Sequence, residues 1–170
     1  MFRIKNGKRE ISPTSQQGFS IVEMTVVFLV IAIIAAFSIP QVMNYLKRYR
    51  LTVSSRNVAT SIQRARYLAT SNNKRTAIIL SSEQQIDIEE YDPTGKLTPQ
   101  NKGTFNLSQG VSIASDAPKQ LAFDGRGVIT PMPKENQLIR VNGENNYFQI
   151  VTVSPTGQVN VSPMQREEKN

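Results

Sequence analysis

Glu23 is the residue whose surroundings most need a chemical reason. It stands at the head of a run, Met24 to Ile39, that holds no charged side chain and is mostly Val, Ile, Ala, Phe and Leu. A carboxylate in such a segment is costly to keep in a bilayer and is normally paired or functional. The plain alternative is an interfacial glutamate near a helix end, reaching headgroup water. Two other clusters carry charge. Asp87, Glu89, Glu90 and Asp92 could offer oxygens to a hard cation such as calcium. Alternation along a strand would divide them between two faces, which favours a solvated surface. Arg64, Arg66, Lys74 and Arg75 could face a phosphate backbone as a candidate DNA contact.

Much chemistry is excluded by composition. The chain has no cysteine and no histidine, so it lacks a Cys or His nucleophile–base pair and a zinc site of the usual type. Neither G-x-x-x-x-G-K-[ST] nor G-x-G-x-x-G occurs. An enzyme is not expected, and no cofactor or metal site is indicated. The net charge of +7 would suit a nucleic-acid binder, but Arg3, Lys5, Lys8 and Arg9 against Glu10 supply +3 of it ahead of Phe19.

The elements around Glu23 are legible. Phe19 to Ile39 is 21 residues, which as a helix reaches about 30 Å, one bilayer core. Residues 1–18 are polar and basic, with Pro13 and no apolar h-region, so they differ from a secretory signal peptide. Cleavage after Gly18 would leave the apolar stretch on the product.

Gly18-Phe19-Ser20-Ile21-Val22-Glu23-Met24 resembles the type IV prepilin signature, with Gly, then an aromatic N-terminal residue, and Glu at the fifth mature position. Pro40 falls where pilins commonly carry a helix-loosening proline. The resemblance covers Gly18–Pro40. It implies a prepilin peptidase that cuts between Gly18 and Phe19 on the cytoplasmic side, and N-methylation of the Phe19 amine. It also implies that Glu23 neutralises the N-terminal amine of an adjacent subunit during assembly. The partners implied are other pilin or pseudopilin subunits, an inner-membrane assembly platform and membrane lipid, with the C-terminal domain periplasmic. The positive-inside count does not decide orientation, because Lys47, Arg48, Arg50 and Arg56 follow the span as closely as the leader precedes it.

Past Pro40 the sequence reads as one amphipathic helix. Val42, Leu46, Tyr49 and Val53, then Val58, Ile62, Ala65 and Ala69, recur at four-three-four spacing. Pro40 lacks an N–H, so a kink or local melting is expected near Ala36–Pro40. The helix should stop at Ser71-Asn72-Asn73. Strands are expected at Arg75–Leu80, Gln85–Tyr91, Gly103–Leu107, Val111–Ala114, Leu121–Phe123, Gly127–Thr130, Gln137–Val141, Tyr147–Val153 and Gln158–Val161. Asp92-Pro93-Thr94-Gly95 is a strong turn signal. In Gln85–Tyr91, Ile86 and Ile88 alternate with Asp87 and Glu89.

The fold class is therefore α+β, a long N-terminal helix, half membrane and half amphipathic, packed on antiparallel sheet. The expected divisions are a leader at 1–18, an assembly helix at 19–40, an amphipathic half at 41–73 and a β-rich domain at 74–170. Three runs resemble the H-type pseudopilins and their minor-pilin relatives: Ser61–Leu80, Phe123-Asp124-Gly125-Arg126-Gly127 with the following Val128–Pro131, and Val153–Val159. That group implies a minor subunit at or near a pilus tip or in a type II secretion pseudopilus. Some of its members are DNA receptors with a Gly-Arg-x-Arg-like tail element. Here the matching residues are Gly157-Gln158-Val159-Asn160, without arginine.

Overall fold

Ser20 opens the helix. Its Oγ accepts the Val22 N–H at 3.4 Å and its carbonyl accepts the Met24 N–H at 3.2 Å, which satisfies donors that a helix start leaves orphaned. The computed structural model describes residues 18–91 and 97–167, and of residues 97–100 the backbone alone. Residues 1–17 of the expected leader and the expected turn at Asp92-Pro93-Thr94-Gly95 lie outside the described residues. Helix α1 spans Ile21–Asn72. It therefore starts two residues later than Phe19, because Ser20 caps it. Thr25 and Ser38 return their hydroxyls to the carbonyls of Val22 and Ile34, so neither leaves a bare polar group on the apolar segment. Pro40, near which a kink or local melting was expected, lies inside α1, so the helix does not melt there.

The far end of α1 stops by a specific device. Asn73 takes the left-handed conformation at φ 50°, and the Lys74 N–H donates to the Ala69 carbonyl at 3.1 Å. This is the six-to-one bond of a Schellman motif, with asparagine in the position that glycine usually fills.

The chain divides into two compact units, Met1–Pro40 and Gln41–Asn170. In the second, nine antiparallel strands among the described residues form two sheets. Strands β1 (Thr76–Ser82), β2 (Gln85–Tyr91), β3 (Leu97–Asn106) and β5 (Gln120–Phe123) make one, in the order β3-β2-β1-β5. Strands β4 (Ser112–Ile113), β6 (Gln137–Asn142), β7 (Tyr147–Val153) and β8 (Val159–Val161) make the other, in the order β4-β6-β7-β8. Strand β9 (Gln165–Arg166) pairs with the start of β7. Strands β2 and β7 have the expected bounds. Gly127–Thr130 is not a strand. The Gly127 N–H turns back to Asp124 O and the Asp124 N–H bonds Val128 O, leaving only an Ile129–Phe123 bridge.

One buried cluster joins the helix to both sheets. Leu51, Val58, Ile62, Ala65 and Ala69 meet Ile78, Ile86, Ile88 and Phe123 from one sheet and Ile139, Val141, Val151 and Val153 from the other. Along the centre of the buried face of the helix lie Leu51, Ser55, Val58, Ile62, Ala65 and Ala69, stepping four, three, four, three, four, with Ser54, Ala59 and Ser61 also buried. The first half of the expected stripe is thereby corrected. Val42, Leu46 and Tyr49 are exposed and Val53 is half-buried. Continued backwards at the same step, the buried face arrives at Arg48 and Asn44. These two residues, and not the apolar ones, reach the β domain: Arg48 bonds Tyr147, and Asn44 receives the Asn145 amide.

Candidate functional site

The N-terminal segment is laid open along its whole length. Among the described residues, Gly18 has no neighbour within 4 Å of where a Cβ would stand. Phe19 is 77 % exposed. Beyond them Ile21, Phe28 and Phe37 are also exposed, and no part of the apolar window is buried within the chain. The helix is long and apolar enough to cross a membrane. A face of this size needs lipid or other helices to cover it.

Glu23 lies in the first turn of α1. Its carboxylate has no ion-pair partner among the described residues. The sequence Ser20-Ile21-Val22-Glu23 has capping-box spacing, and the positive end of the helix dipole favours a carboxylate there. This local reason for a glutamate was not drawn from the sequence, although Ser followed three residues later by Glu is its signal. The carboxylate and the exposed Phe19 therefore stand at the same end of the helix.

The four basic residues proposed for DNA do not form a free patch. Arg66 donates from Nε to the Gly127 carbonyl and from Nη1 to the Gly157 carbonyl, both at 3.1 Å. Lys74 donates to Glu90 Oε1 at 2.7 Å. The Arg64 guanidinium lies 5.7 Å from the Phe105 ring centroid, and that of Arg75 lies 5.3 Å from the Tyr91 centroid. Each cation is engaged within its own chain.

The bonds of Arg66 explain two sequence runs at once. Gly127 and Gly157 both adopt left-handed backbone, at φ 77° and 78°. A Cβ on Gly157 would stand 2.6 Å from the Gly127 carbonyl oxygen, so the two loops approach too closely for any side chain. The first loop is shaped by Asp124, whose Oδ1 accepts the Arg126 and Val128 N–H groups at 2.9 and 3.0 Å. Burial alone would raise the Asp124 carboxyl. The bonds from Val128 and from Arg126, with the Arg126 charge, outweigh that and hold it below its ordinary range. The second loop closes with the Gly157 N–H on Ser154 O and the Gln158 N–H on Ser154 Oγ. Arg66 thus clasps Asp124–Gly127 and Ser154–Gly157 onto the helix.

The acidic run divides as strand alternation requires. Asp87 and Glu89 share the half-exposed face of β2 with Gln85, while Glu90 points inward with Ile86 and Ile88. Glu90 is 6 % exposed and is held by Lys74, by Lys102 at 3.7 Å and by the Asn72 amide. The Lys74 hydrogen bond lowers its carboxyl against the opposing effect of burial, with the charges of Lys74 and Lys102 adding to it. Burial likewise opposes, but the hydroxyls of Ser81 and Thr104 and the amides of Gln85 and Asn101 lower, the Asp87 carboxyl. Asp92 lies outside the described residues. No group of three or more His, Cys, Asp or Glu suited to a metal ion is found among the described residues.

A family model described as the prokaryotic N-terminal methylation motif matches residues 13–39. The chain carries that motif around Gly18, Phe19 and Glu23. Its fold is that of minor pilins and pseudopilins. The type IV minor pilin FimU of Pseudomonas aeruginosa superposes with a TM-score of 0.58 at 15 % identity, covering 70 % of this chain and 92 % of that one. The minor pseudopilin EpsH from the type 2 secretion system of Vibrio cholerae gives 0.51 at 10 % identity, covering 66 % and 96 %. At such identities the likeness is one of fold. No curated protein is significantly similar in sequence to this chain.

Proposed function

We propose that the chain is a structural minor subunit, processed at Gly18–Phe19 and assembled through its N-terminal helix into a type IV pilus or a type II secretion pseudopilus, at or near the tip. The observation that carries this reading is the methylation motif at residues 13–39, which runs directly into an uncovered, membrane-length helix. In this reading residues 1–18 are a cytoplasmic leader, the helix is anchored in the inner membrane and the β domain is periplasmic. A prepilin peptidase releases the Phe19 amine, the amine is N-methylated, and the assembly platform passes the subunit to a filament. Glu23 of one subunit then meets the Phe19 ammonium of a neighbour. Pairing removes two unpaired charges from an apolar environment at once, so it fixes one helix against the next in register. Pro40, with no N–H to give the Ala36 carbonyl, is the point where the helix loosens most easily during that insertion.

Intact-mass analysis of membrane-extracted protein tests the proposal. The expected species begins at Phe19 and carries one added methyl group. A chain that keeps Gly18 joined to Phe19 in cells with an active prepilin peptidase refutes processing, and leaves an ordinary single-pass anchored domain.

A further inference from the structure

A recess of about 430 Å³ is bounded by Asn44, Arg48, Asn145, Asn146, Tyr147 and Arg166, and assembly through the N-terminal helix gives it no task. Its cations are two arginines on one ring. Arg48 donates from Nη2 to Tyr147 Oη at 2.6 Å and its guanidinium carbon lies 4.7 Å from the ring centroid; that of Arg166 lies 5.7 Å from the same centroid.

Among the described residues, the nearby carboxylates are committed elsewhere. Glu144 pairs with Lys47 at 2.6 Å and Glu167 with Arg140 at 2.7 Å. Neither Arg48 nor Arg166 has a carboxylate partner among the described residues. Three asparagine amides complete the wall, two of them on a left-handed turn, with Asn145 at φ 59° and Asn146 at φ 60°. Planar guanidinium forks beside amide donors suit an oxyanion, and a phosphate in particular, since it offers several oxygens in fork geometry.

Chain position selects the source of that phosphate. Asn44 follows Ile39, the last residue of the apolar run, by five residues, so at most about 18 Å of chain separates them. The headgroup layer begins where the hydrocarbon core ends. We propose that this recess binds the phosphate of an anionic phospholipid headgroup while the chain resides in the membrane. The proposal rests on the membrane reading of the N-terminal helix.

The test uses the full chain. Flotation with vesicles of phosphatidylcholine alone checks the span, and native mass spectrometry in an uncharged detergent then compares retention of phosphatidylglycerol with phosphatidylcholine. The expected result is flotation with these vesicles and a one-to-one phosphatidylglycerol adduct. Arg48→Gln and Arg166→Gln should each weaken the adduct by about tenfold or more. Arg56→Gln, which removes an exposed arginine away from the recess, should not change it. Thermal unfolding of each variant checks that the domain is intact, and Arg48→Lys, which keeps the charge but loses the fork, should retain part of the adduct. Equal retention of both lipids, or an adduct unchanged in the double variant, overturns the proposal. Displacement of the lipid by millimolar inorganic phosphate assigns the site to a soluble anion and also overturns it. A recess that takes only the acidic peptide of a neighbouring subunit does the same. Failure to float on any vesicle refutes the membrane reading itself.

Discussion

Replacing Gly157 by alanine should destabilise the β domain through a specific pair of contacts. The residue sits at φ 78°, a region that costs an L-residue about 1–2 kcal/mol. Its new methyl would lie 2.6 Å from the Gly127 carbonyl oxygen, 3.0 Å from Arg66 Nε and 3.1 Å from Arg66 Cδ. The arginine can shift, but the Gly127 carbonyl is backbone and is itself an acceptor for Arg66. Moving either loop away sacrifices one of the two Arg66 bonds, worth roughly 1–2 kcal/mol for a partly exposed cation. The total is about 2–4 kcal/mol, or roughly 8–16 °C in Tm at about 4 °C per kcal/mol for a domain of this size. Thermal unfolding of the detergent-solubilised chain, followed by circular dichroism at the strand band, measures it. A double-mutant cycle with Arg66→Met supplies the mechanism. Bonds already lost to one substitution cannot be lost again, so the double variant should be less damaged than the sum by at least about 1 kcal/mol. A Gly157→Ala protein within about 0.5 kcal/mol of the parent, or strict additivity with Arg66→Met, would refute the clasp.

Leu51→Ala should cost about 2–5 kcal/mol, because the side chain is fully buried against the backbone of Gly143, whereas Leu46→Ala should stay within about 1 kcal/mol; urea unfolding of both distinguishes the observed buried face from the one expected from spacing. Glu90 has a folded-state pKa below its unfolded value, so its stabilisation is complete above about pH 4.3 and is lost as pH falls through the lowered value. The acid limb of a Tm-against-pH curve should therefore flatten in Glu90→Gln, and an unchanged slope would assign acid sensitivity to Asp87 and Asp124 instead. Glu23→Ala should lower the share of protein recovered in sheared filaments while leaving the Tm of the β domain unmoved, and wild-type incorporation would remove Glu23 from the assembly step.

The legible parts of this fold are those whose signal is local. Strand β2 was readable because Ile86 and Ile88 alternate with Asp87 and Glu89, and β7 because Tyr147–Val153 is a run of strand formers between turn residues. The end of α1 was readable because asparagine suits the left-handed position that Asn73 occupies. The motif at Gly18–Glu23 lies within a single stretch, so its spacing is visible without a fold.

What the sequence misplaced is what only tertiary contact decides. Val42, Leu46 and Tyr49 have the right period, but period does not say which of two faces meets the sheets. That choice lies with Leu51 and with Ser54 and Ser55, whose small side chains are buried where the β domain approaches, the Ser108 N–H bonding Ser54 Oγ. Once Leu51 is inward, Arg48 and Asn44 turn with it, and the outward apolar residues are left for lipid or a neighbour. The same logic governs Arg66. Read along the chain, it is one of four cations near a helix end and suggests a phosphate contact. Its two acceptors, Gly127 and Gly157, lie 61 and 91 residues away, and each is an acceptor only because its loop is left-handed. Glycines in Gly-Arg-Gly and Ser-Pro-Thr-Gly sequences mark turns by themselves; that they close on the same guanidinium is a property of the assembled domain. A basic side chain read as a surface for a ligand is here an internal tie, while Arg48 and Arg166, which no periodicity brings together, meet on the Tyr147 ring.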